Sequence, residues 1–150
     1  DGDGTGVYAQ LYRANGAKAT GELLVNTTTA GTQDSPSVSM DATGDFVVVW
    51  NGTDADGTGI YSRIYDAGGR AGTPETLVNT TTTGDQNYAS VAMLPNGDYI
   101  VAWTDAGLDG DGAGIFLQRV AENFTPTNIV VTPATVNEGL PVGTVIGTFA

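Results

Sequence analysis

Three short stretches place two carboxylates at positions i and i+2 among glycines: Asp1-Gly-Asp3-Gly-Thr-Gly, Asp54-Ala-Asp56-Gly-Thr-Gly and Asp109-Gly-Asp111-Gly-Ala-Gly. Glycine lets the backbone wrap back on itself, so such a loop can present several oxygens to a hard cation. Calcium takes about six to eight oxygen ligands. The two aspartates of a loop would therefore need backbone carbonyls, waters and a further side chain, for which Asn51 and Asp105 are the nearest candidates. The loops are not EF-hands, because the place of the closing bidentate glutamate is held by Gln10, Arg63 and Gln118. The competing reading is that Asp and Gly make tight, soluble turns.

A second pair with chemical potential is Trp50 and Trp103, each closing an apolar run. An indole beside acids and amides can stack on a sugar ring in a lectin-like groove; the alternative is packing inside the fold. Asn26, Asn51, Asn79 and Asn123 open N-x-T sequons. In the two NTTT stretches the same residues can instead form Asx and ST turns between units.

Other chemistries are closed. The chain has no histidine and no cysteine, which excludes Ser-His-Asp and Cys-His sites and histidine-ligated zinc. None of the acids has a distinctive apolar setting that would raise its pKa for acid catalysis, and no enzymatic role is expected. A net charge of −12 over 150 residues repels phosphate backbones and anionic lipid but suits divalent cations. Nucleic acid is therefore not an expected partner, and no apolar run approaches the roughly 20 residues that span a bilayer.

The elements that carry these residues recur. DGTGVYAQLY from Asp3 returns as DGTGIYSRIY at Asp56 and DGAGIFLQRV at Asp111, a spacing of about 53 and then 55 residues. GELLVNTTTAGTQ from Gly21 matches PETLVNTTTTGDQ from Pro74, and SVSMDATGDFVVVW from Ser37 matches SVAMLPNGDYIVAW from Ser90. The extra two residues of the last copy fall in TDAGLDGDG, which reads as a loop.

Each unit holds four short β-branched and aromatic runs, in the middle copy SVSM, DFVVVW, GIYSRIYD and ETLVN. ATGD and PNGD make tight hairpins between the first two strands. GIYSRIYD alternates, as a half-buried strand does, whereas VVVW reads as buried on both faces. The fold class expected is all-β, with antiparallel four-stranded repeats of about 53 residues resembling β-propeller blades. A closed propeller takes about four to eight blades, so residues 1–120 give an incomplete one: two strands of one blade, a complete blade from about Pro36 to Asn79, and three strands of another. The lone strands at each end could pair with the tail or between chains, making self-association through open edges a candidate property.

Residues 121–126 form a proline-punctuated linker, and 127–150 begin a second strand-rich module. TNIVVTPATVNEGLPVGTVIGTFA resembles the opening strands of bacterial cadherin-like domains through its Val-x-Glu-x-x-Pro-x-Gly-Thr stretch. The resemblance implies a β-sandwich start and places Glu138 where that family's glutamate helps bind calcium between modules. The repeat itself, PSVSM, GDFVVVW, DGTGIYSR and NTTT, resembles blade-like units of very large RTX-type and cadherin-containing bacterial adhesins. That resemblance implies an extracellular or cell-surface, calcium-dependent, non-catalytic segment. Two alternatives stand beside it: a subunit of a filament joined by strand addition, and a carbohydrate-binding module using Trp50 and Trp103.

Overall fold

The computed structural model describes residues 2–107 and 110–121. The expected linker and second module, which begin at residue 121, therefore lie almost wholly outside the described residues, as do Asp1, Asp109 and Glu138.

Among the described residues the chain is all-β and antiparallel, in three sheets of two, four and three strands. The first sheet pairs β1 (Tyr8–Ala9) with β2 (Leu23–Leu24). The second runs in order β3 (Asp34–Met40), β4 (Phe46–Thr53), β5 (Thr58–Tyr65) and β6 (Thr76–Leu77). The third holds β7 (Gln86–Met93), β8 (Tyr99–Ala106) and β9 (Ala113–Val120). Consecutive strands are neighbours within every sheet, so each connection is a hairpin or a short step to the next sheet.

Turn chemistry fixes the hairpins. Asp41 N–H donates to Asp45 O at 2.9 Å and Leu94 N–H to Asp98 O at 2.7 Å, closing β3–β4 and β7–β8 in the same way. Gly44 and Gly97 occupy the positions that require positive φ, at 94° and 88°. Asp41 adds a local cap: one carboxylate oxygen accepts from Thr43 N, Thr43 Oγ1, Gly44 N and Asp45 N.

Register repeats with the sequence. Val48 faces Val38 on one side and Arg63 on the other; Val101 faces Val91 and Gln118. Both first strands slip register near their start, between Asp34 and Ser37 and between Asn87 and Ser90. Ser35 and Tyr88 lie inside these slips with φ of 51° and 59°, a left-handed conformation unusual for such side chains. The extra residue in each slip re-aims the side chains that precede it.

Two cores flank β4. On one face Val47 and Val49, with Ile60, Ile64 and Val78, meet Ala89, Tyr99, Val101 and Trp103 of the third sheet. On the other, Phe46, Val48, Trp50 and Tyr65 meet Val7 and Val25, which flank the strands of the first sheet. VVVW is thus buried on both faces, because the middle sheet lies between two others. A fully buried aliphatic side chain contributes roughly 1.5–3 kcal/mol. The ion pair between Arg119 and Asp98, whose arginine is 61% exposed, is worth at most about 1 kcal/mol. Sheet stacking therefore dominates stability.

Candidate functional site

The steps between sheets are held by side chains of the NTTT stretches. Asn79 Oδ1 accepts from Ile60 N at 2.7 Å, while its Nδ2 donates to Thr81 O and to Gln86 Oε1, both at 2.9 Å. Gln86 Nε2 in turn donates to Thr83 O at 3.1 Å. One period earlier, Asn26 accepts from Val7 N at 2.8 Å and donates to Thr28 O at 2.9 Å and Gln33 Oε1 at 3.2 Å. Both asparagines are buried, so these sequons present no free amide nitrogen; their role extends beyond the local turn to pinning a distant strand. Asn51, the third described sequon asparagine, is also buried.

The Asp-Gly loops make turns and dock against the following connector. Asp56 N donates to Asp54 Oδ1 at 3.0 Å, and Asp54 N donates to Gly57 O at 3.1 Å. A Cβ at Gly57, with φ of 128°, would come within 2.7 Å of Asp85 Oδ1 and 2.8 Å of Gly84 O, so only glycine allows this approach. In the first copy Gly4 lies against Gly31 in the same manner, and Asp3 Oδ2 accepts from Gly31 N at 3.2 Å. Asp111 lies in the corresponding loop before β9. Asp54 Oδ2 is buried and has no hydrogen-bond partner. Among the described residues no three acidic side chains converge as a ready-made metal site.

Oxygens do gather nearby, at a place the loop spacing does not reveal. A cleft of about 460 Å³ lies where the starts of β3 and β7 meet the end of β4, lined by Asp34, Asn51, Thr58, Asp85 and Asn87 among others. Asn51 Nδ2 donates to Asp34 Oδ1 at 3.2 Å and to Asn87 Oδ1 at 3.3 Å, leaving Asn51 Oδ1 buried without a donor. Asp85 Oδ1 accepts from Thr58 N at 3.1 Å and Thr58 Oγ1 at 2.7 Å. The lining holds two carboxylates, two amide side chains and several hydroxyls, with no basic residue among them. The one sequence signal for this cleft is that Asp34 and Asn87 stand one period apart, each just after a buried glutamine.

The tryptophans serve the cores. Trp50 is fully buried and stacks on Tyr61, with ring centroids 6.2 Å apart and planes 21° from parallel. Trp103 is 7% exposed, so neither indole presents an open face for a sugar to stack on. Asp105 lies within β8 and is 2% exposed. Its Oδ1 and the Nε1 of Trp103 both lack hydrogen-bond partners, and both residues line a smaller cavity of about 130 Å³.

An inter-sheet clasp completes the picture. Glu75, just before β6, accepts through Oε2 from Thr27 N at 2.6 Å, Thr27 Oγ1 at 3.1 Å and Thr28 N at 3.2 Å. Burial raises its pKa, but the hydrogen bonds from Thr27 and Thr28 outweigh this and leave the carboxyl below its ordinary value of 4.5. Arg63 Nη1 and Tyr65 Oη both donate to Val25 O, at 2.9 and 3.2 Å, tying the same two sheets.

In comparisons with known proteins the chain matches no family model, no curated protein and no solved structure.

Proposed function

We propose that the chain is a non-catalytic repeat segment of a larger extracellular, calcium-dependent adhesive protein, built from blade-like four-stranded units of about 53 residues stacked face to face. The observation that carries this reading is the burial of β4 on both faces, Val47 and Val49 against the third sheet and Val48 and Trp50 against the first. A unit that needs neighbours on both sides is the building block of a repeating structure. Ile100 and Ile115 stand one unit on from Val47 and Ile60, on the far face of the third sheet, and are exposed there. They offer the next sheet the same kind of apolar face that β4 and β5 offer the third.

Calcium enters through the oxygen-lined cleft between the second and third sheets and through a surface of net charge −12. Its role is to hold successive sheets at a fixed orientation, stiffening a segment that holds an adhesive module away from the cell. The outer edge of β9, which has no partner strand among the described residues where β5 has β6, favours strand addition between chains as a second reading.

Two measurements test the proposal together. Calcium raises the melting temperature of the 150-residue chain and chelation lowers it, while magnesium does less. Protease added to intact cells removes the parent protein from their surface. A melt unchanged by chelator, with the parent protein protected inside the cell, overturns the reading.

A further inference from the structure

The cavity of about 130 Å³ between the third sheet and the connector that follows β6 is lined by Thr80, Thr81, Trp103, Asp105, Phe116 and Gln118 among others. Two of its groups are chemically incomplete. Asp105 is 2% exposed with an Oδ1 that accepts no hydrogen bond, and the Trp103 indole N–H, two residues earlier on the same face of β8, donates none. A buried carboxylate oxygen without a donor is poorly tolerated in a protein interior, and beside an unpartnered indole N–H it marks a place that a ligand or water completes.

Comparison with the preceding unit shows how the cavity arises. Trp50 faces Tyr61 in register, as Trp103 faces Phe116, and Gly52 follows Trp50 where Asp105 follows Trp103. A Cβ at Gly52 would lie 2.9 Å from the Tyr61 ring, so that ring fills the space a side chain would need. Tyr61 Oη donates to Thr53 O at 2.9 Å and holds the ring there. In the third sheet an acid replaces the glycine and phenylalanine replaces the tyrosine, giving up the hydroxyl that anchors the ring. Both differing residues, Asp105 and Phe116, line the cavity.

The two unmet groups select the chemistry of the occupant. The indole N–H needs an acceptor and the carboxylate needs a donor; a hydroxyl supplies both. A metal ion would satisfy the carboxylate alone and be repelled by the N–H dipole, and one carboxylate falls short of a calcium shell. An ammonium group has no acceptor for the indole. The edges of Trp103 and Phe116 give an apolar wall for C–H groups, while Thr80, Thr81 and Gln118 add polar contacts at the rim. A cavity of about 130 Å³ holds more than a single water and has room for the edge of a sugar ring. The strongly acidic surface disfavours anionic sugars.

We propose that this cavity is a binding site for a neutral vicinal diol of a saccharide, held by the Asp105 carboxylate and the Trp103 indole N–H between the third sheet and the connector that follows β6. The proposal is independent of calcium and of stacking in a longer protein.

The chain has two tryptophans, so its indole N–H region in a nitrogen–proton correlation spectrum holds two side-chain signals, assigned by Trp103→Phe. Neutral methyl hexopyranosides (gluco, galacto and manno), titrated in the presence of chelator, are expected to move the Trp103 signal saturably and leave that of Trp50 in place. Asp105→Asn weakens the best sugar by about tenfold or more. The double variant Asp105→Gly with Phe116→Tyr, which reproduces the second sheet's arrangement, abolishes the shift, with the Trp50 signal reporting that the fold persists. A Trp103 signal unmoved by all three sugars, an ordered water as the sole occupant, or equal movement of both indole signals overturns the proposal.

Discussion

Glu75 Oε2 accepts the backbone N–H of Thr27 at 2.6 Å across a separation of 48 residues, joining the approach to β6 to the step between the first and second sheets. The carboxylate form makes this clasp, and its pKa in the folded chain lies below the ordinary 4.5. A depressed folded value means that the stability it supplies is present above the unfolded pKa and is lost as pH falls through the folded one. Urea unfolding of the chain should therefore weaken on acidification below about pH 4.5. Asp41, lowered chiefly by the Thr43 hydroxyl, titrates in the same direction. The difference between wild type and Glu75→Gln isolates the clasp: the variant is less stable at pH 7 by about 1–3 kcal/mol, and the gap closes toward pH 3. A gap that stays constant with pH would dissociate Glu75 from the effect.

Replacing Asn79 by alanine leaves the Ile60 N–H and the Gln86 Oε1 without their partner. A loss of about 2–4 kcal/mol is expected in equilibrium unfolding, and a comparable loss at Asn26, which pins Val7 and Gln33 in the preceding unit. Losses below about 0.5 kcal/mol at both sites would show that the pins are incidental.

Calcium should act at the cleft. Asp34→Asn combined with Asp85→Asn removes both carboxylates while leaving acceptors for Asn51 and Thr58, and the calcium-induced rise in melting temperature should disappear. Asp54→Asn with Asp56→Asn should preserve most of it. At a calcium concentration of about 100 times the Kd the effect at stake is about 2.7 kcal/mol, readily seen by calorimetry. The opposite ranking of the two double variants would return the cation to the Asp-Gly loops.

Stacking is tested most directly at β4 and β3. Val49 is fully buried in the core shared with the third sheet, and Val49→Ala should cost roughly 1.5–3 kcal/mol. Val38 is 63% exposed on the neighbouring strand, and Val38→Ser should stay within about 0.5 kcal/mol. Equal effects would mean that the sheets do not rely on each other for burial.

Strand composition, the hairpin glycines and the all-β, antiparallel character were open to reading residue by residue, because each depends on local physics. Gly44 and Gly97 mark turns whose positive φ little else tolerates, and the unbroken VVVW run implies cover on both faces. The convergence of side chains was not. Asp34, Asn51 and Asn87 come from three strands and two sheets, and meet only after the register slips at Ser35 and Tyr88 have re-aimed them. Nothing local to Asp105 distinguishes a loop acid from a buried one; its place follows from how β8 packs on the second sheet. Residue periodicity fixes which way a side chain points along its own strand, whereas what it meets there depends on stacking between residues some 50 positions apart.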